Sequence, residues 1–140
     1  MLFRSNQTIE QLWLITKFLV NQRIKISSNL IYSYNKYYPD ISNNLSNRRQ
    51  LFISNLVVRN LNKGIAEGLY RDDIDVETVL FFYAFLTNLS DMDSLNSLMR
   101  KDSLLHLNSV FNYHIRAIAT PSGVDYLETK FDPNEVKLGF

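Results

Sequence analysis

The side chains that do chemistry in proteins are scarce in this chain, which has two histidines and no cysteine. His106 and His114 are eight residues apart. On one helix they share a face but stand about 12 Å apart by helix rise, too far for one metal ion. No Glu-x-x-His pair is present, so the ligand pattern of a di-iron bundle is missing. Neither a Gly-rich phosphate loop nor a nucleophile elbow occurs. Asp72, Asp73, Asp75 and Glu77 form an acidic group, but their spacing is not that of a calcium loop and suits helix capping. Without cysteine there is neither disulfide nor thiolate chemistry, which fits a reducing compartment. The expectation is a protein with no catalytic residue, metal or cofactor, and not an enzyme.

Aromatic residues are the unusual resource. Eight Tyr, nine Phe and one Trp are dense for 140 residues. Tyr32, Tyr34, Tyr37 and Tyr38 fall within one short stretch. Buried tyrosine hydroxyls need hydrogen-bond partners. A group of them beside an apolar face suits a cavity for a mostly apolar ligand with a few polar atoms; core and rim packing is the other reading.

The elements that must position these side chains are helices. Gly and Pro are absent from Leu69 to Thr120, and no segment alternates with period two for long enough to be a strand. The spacing predicts helices at about 7–23, 28–37, from 44 or 46 to 67, 76–91 and 102–120, with a last turn at 125–130. Residues 92–102 read as a loop or one short helix. Pro39 ends the second helix and pushes Tyr38 out of helical geometry. The fold class is all-α, a helical bundle.

Residues 62–90 organise that bundle. Gly68 suits a left-handed cap, Leu69 its apolar contact, and Asp75 the N-cap of the following helix. Val76, Val79, Leu80, Phe81, Phe82, Tyr83, Ala84, Phe85, Leu86 and Leu89 leave that helix hardly any polar stripe. A helix apolar all round is buried on all sides, and a second subunit is the expected cover.

One domain is the natural reading of this length, large enough to bury roughly 68% of its unfolded surface. No apolar run approaches a membrane span, and the start lacks a signal peptide's basic and apolar regions, so a cytoplasmic protein is expected. The net charge of +1 hides an asymmetry. Residues 1–70 carry nine Lys/Arg against three Asp/Glu, and residues 71–140 six against eleven. The basic residues are scattered, which reads as solvated helix faces rather than a nucleic-acid surface.

Three strings stand in order: KYYPD at 36–40, KGIAEGLYRDDIDVE at 63–77 and YHIRAIATPSGVDYLE at 113–128. Together, over about residues 7–128, the chain resembles the C-terminal half of a tetracycline-repressor-like (TetR-family) transcriptional regulator of the Bacteroidetes type. The resemblance implies a helical domain that binds a small effector and forms a homodimer through its last two long helices. It also implies an N-terminal helix-turn-helix reader, which these 140 residues do not include. DNA is therefore expected as a partner only through that missing domain. Ala117 departs from the glycine expected in the third string. Residues 1–128 are expected to form the ligand-binding and dimerisation domain, with 129–140 a mobile tail.

The resemblance places a cavity among the first four helices. The candidates are Trp13, Thr16 and Lys17 from the first, Tyr34 and Tyr38 from the second, Phe52, Asn55 and Leu56 from the third, and Phe82 and Leu86 from the fourth. The expected effector is small, apolar or weakly polar, and near neutral, with Lys17 able to admit an acid. The expected dimer interface takes Phe81, Phe85 and Leu89 with Phe111, His114, Ile115 and Ile118. The alternative is a helical dimeric scaffold with no small-molecule pocket.

Overall fold

The computed structural model describes residues 8–24, 28–88 and 103–135. Among them run six helices: α1 (Thr8–Ile24), α2 (Ser28–Tyr37), α3 (Pro39–Ala66), α4 (Val76–Asn88), α5 (Ser103–Ile118) and α6 (Pro121–Thr129). The protein is all-α. Residues 92–102 and Leu89 lie outside the described residues.

Helix α1 is the centre of the bundle and packs against α3, α4 and α5. Ile9, Leu12, Trp13, Leu14, Ile15 and Leu19 are all buried, so over Thr8–Leu19 it is α1 rather than α4 that is the more enclosed. Its few polar groups are stitched to neighbours. Tyr126 on α6 donates to Glu10 Oε1 at 2.6 Å, and Thr8 Oγ1 donates to Glu67 Oε2. Asn60 Nδ2 donates to the Thr8 carbonyl at 2.8 Å, and Asn60 Oδ1 accepts from the Tyr70 hydroxyl at 2.9 Å. Buried polar atoms need such partners, and these bonds tie the first turn of α1 to α3 and α6. In α4, Val79 and Tyr83 face the core while Phe81 and Phe85 are 72% and 52% exposed.

Pro39 does not separate two folded-back helices. It occupies the first turn of α3, where its missing N–H costs nothing, so α3 begins at Pro39 rather than near Asn44. Tyr38 alone is non-helical, at φ −134 and ψ 56. Its N–H still donates to the Tyr34 carbonyl, and its carbonyl accepts from Ser42 N–H at 3.0 Å. The Ser42 hydroxyl also reaches the Asn35 side chain two turns back. Thus α2 runs on into α3 as one arm, whose described side chains from Asn29 to Phe52 are exposed or half-exposed.

The α3 end is a Schellman motif. Gly68 N–H donates to the Ile65 carbonyl at 3.1 Å and Leu69 N–H to the Gly64 carbonyl at 2.9 Å. Gly68 has φ 74, the left-handed region in which a Cβ is strained. Gly64 is needed for space, since a Cβ there would lie 2.1 Å from the Tyr70 ring. Asp75 then caps α4, accepting from Glu77 N–H at 3.2 Å and from the Thr78 hydroxyl, and these bonds hold its carboxyl below the usual range.

A short antiparallel bridge, Tyr70 with Ala119, joins the α3–α4 turn to the α5–α6 joint. Arg71 N–H donates to the Ile118 carbonyl at 2.8 Å and Thr120 N–H to the Leu69 carbonyl at 3.0 Å. Thr120 caps α6 by accepting from Gly123 N–H at 3.2 Å. Pro121 therefore starts a helix of nine residues rather than only ending α5. Beyond α6, Phe131 packs on Trp13 and Phe111, and the Pro133 carbonyl accepts from Trp13 Nε1–H at 3.3 Å. The segment after residue 128 is thus fastened to the core at these points.

Candidate functional site

Thr16 of α1, Tyr83 of α4 and the half-buried His114 of α5 come together where their helices meet. Phe82 and Tyr83 are neighbours on α4, and both turn their rings to His114 of α5. Phe82 stacks on the imidazole, with centroids 4.5 Å apart and planes at 23°. Tyr83 meets it edge-on at 5.4 Å and 79°. The Tyr83 hydroxyl is held well above its ordinary pKa by burial, partly offset by its hydrogen bond with the Thr16 side chain. Thr16 is itself fixed by donating to the Leu12 carbonyl at 2.9 Å.

His114 Nε2 is buried and has no hydrogen-bond partner among the described residues. Burial pushes the imidazole pKa down to about 4, so His114 is neutral at pH 7. A neutral imidazole offers one donor and one acceptor. The rings against it are aromatic, Phe82 and Tyr83. Ring stacking on the imidazole is already supplied by Phe82 and Tyr83, so what the cluster leaves for an uncharged group is a hydrogen bond at His114 Nε2. The cluster is poorly suited to proton transfer near neutrality, because a general base works best with a pKa near the operating pH.

In comparisons with protein-family models, curated proteins and solved structures, the chain matches none.

The residues expected around a pocket are placed differently from one another. Trp13 and Thr16 are buried, Leu56 and Phe82 pack on the core, and the Lys17 ammonium stands 6.0 Å from the Trp13 ring centroid. The Leu86 side chain lies outside the described residues. Tyr34, Tyr38, Phe52 and Asn55 are exposed instead of pointing inward. The reason is the arm: α2 continues into α3 and does not fold back over α1. Among the expected dimer residues, Phe81 and Phe85 face outward, but Phe111, Ile115 and Ile118 lie in the chain's own core, and His114 is occupied by Phe82. Those α5 positions form the inner side of an amphipathic helix that packs on α1, with Trp13 against Phe111.

Tyr83 was hidden in the sequence as one aromatic among several on α4. A polar hydroxyl within an apolar run was the available signal. Among the described residues, no group of three or more His, Cys, Asp or Glu could hold a metal ion, and no helix is long and apolar enough to cross a membrane.

Proposed function

We propose that this chain is the effector-binding and dimerisation domain of a TetR-like transcriptional regulator, a binding protein rather than an enzyme. The observation that carries the reading is spatial. Two of the three strings behind the resemblance, 63–77 and 113–128, meet in the bundle through the Tyr70–Ala119 bridge. The Arg71 guanidinium adds a bond to the Ala117 carbonyl at 3.2 Å. Residues far apart in the chain thus build one joint, a reason for their types to be kept together.

The effector site is the Thr16–Phe82–Tyr83–His114 cluster. Its ligand is small, largely apolar and uncharged, because a buried charge finds no partner among these four side chains. Binding shifts the population of bundle arrangements, which a DNA reader joined before α1 senses as a change in spacing. The homodimer uses the outward face of α4, around Phe81 and Phe85. The protein works in the cytoplasm, and by itself it does not recognise a DNA sequence.

A thermal-shift screen of neutral flat or lipidic molecules tests this. A ligand at 100 times its Kd stabilises by about 2.7 kcal/mol, enough to raise Tm by several degrees. Hits should lose their shift in His114→Leu and keep it in Tyr34→Ala. Hits that keep it in His114→Leu place the site elsewhere. The exposure of Tyr34, Tyr38 and Phe52 favours a second reading, a dimeric scaffold without a pocket. A screen with no hits, on a chain that self-associates, supports that one.

A further inference from the structure

The arm formed by α2 and the first half of α3 carries a seam of its own. Tyr34, Tyr38, Ile41, Leu45, Arg48 and Phe52 follow at intervals of four, three, four, three and four residues. That is the alternation of a and d positions in a heptad repeat, the pattern of helices that pair side by side. All six are exposed in the isolated chain. Five of them are large and apolar or aromatic, a density that marks an interaction face rather than scattered surface residues. The seam spans about 27 Å of helix at 1.5 Å per residue. Burying this face against a partner would stabilise the arm, since most helical stability in proteins comes from packing an amphipathic face.

We infer that the partner is the arm of a second copy, paired antiparallel. The seam is complementary to itself in that direction. Pairing Ile41 with Leu45 of a second copy also sets Tyr34 against Phe52 and Tyr38 against Arg48, each twice by symmetry. Every aromatic then meets an aromatic or a guanidinium, and the Tyr38–Arg48 contacts are cation–π pairs. Parallel pairing sets Arg48 against Arg48, in an arm that already holds Lys36 and Arg49 against the single carboxylate of Asp40. Charge thus selects the antiparallel arrangement. This interface is separate from the α4 face and stands without it.

The test uses the whole chain. Phe85→Asp, in which only the arms are left to pair, should sediment as a dimer, and adding Leu45→Glu to it should halve that mass and leave the fluorescence of Trp13, buried in the core, unchanged. If Phe85→Asp by itself dissociates the protein and Leu45→Glu by itself does not, the arm pairing is wrong while the α4 face stands. A wild-type chain monomeric at all concentrations also overturns the inference. Direction is read by cross-linking, which is clean because the chain has no cysteine. A disulfide requires Cα atoms within about 7 Å. Ile41→Cys mixed with Leu45→Cys should oxidise to a covalent dimer of one of each, and Arg48→Cys alone should not. Efficient cross-linking of Arg48→Cys alone, or none in the mixture, rejects the antiparallel register.

Discussion

His114 shows how one residue's surroundings set its behaviour. An imidazole on the surface titrates near pH 6.5; here burial holds it at about 4. Between those values the unfolded chain takes a proton that the folded chain refuses. Stability from this residue is therefore intact above pH 6.5 and is lost as pH falls toward 4, by up to ~3 kcal/mol. Urea unfolding at pH 7 and pH 4.5 should show a large fall for the wild type and a smaller one for His114→Phe, which keeps the stack on Phe82. Equal falls would mean that His114 is solvated. Tyr70 makes a second case. Its hydroxyl serves the buried Asn60 amide oxygen at 2.9 Å. Tyr70→Phe should cost about 1–3 kcal/mol by denaturant titration, because that oxygen is left without a donor.

At the scale of elements, the end of α3 separates two roles of glycine. Gly68→Ala meets open space, so its cost is conformational, about 1–2 kcal/mol for a side chain at positive φ. Gly64→Ala keeps a helical conformation but drives a methyl into the Tyr70 ring, with overpacking costs of about 1–3 kcal/mol. The distinguishing measurement is a cross with Tyr70→Leu. That change should relieve Gly64→Ala and leave Gly68→Ala as costly as before. The α5–α6 pair is held differently, by Arg116 donating to Glu128 at 2.8 Å across the joint. Both groups are largely exposed, so this ion pair adds little stability.

For the whole molecule, the decisive contrast lies between Phe85 and Phe111. Both were expected at a subunit interface, yet Phe85 is half exposed and Phe111 is in the core. Phe85→Asp should therefore leave a folded chain that lacks the pairing proposed for α4. Phe111→Asp should unfold it, because a buried unpaired carboxylate costs several kcal/mol. Circular dichroism and sedimentation on the two variants separate the outcomes. A folded Phe111→Asp would show that the α5 packing is wrongly described.

The all-α class, the Gly68 cap and the Asp75 cap were legible in the sequence, because each depends on residues within a few positions. Helical periodicity and cap chemistry are local, so a string of types carries them. The direction of α2 was not legible. Pro39 has two uses, helix stop and helix first turn, and only the geometry at Tyr38 chose the second. That one choice moved Tyr34, Tyr38, Phe52 and Asn55 from an expected cavity to the outside of an arm. The partner of α5 was decided in the same way. Phe111, Ile115 and Ile118 form a stripe that any apolar surface could cover, and in the fold it lies in the chain's own core, with Trp13 of α1 against Phe111. An apolar stripe states that a face must be buried; which surface buries it depends on contacts between distant segments, and these exist only once the chain has folded.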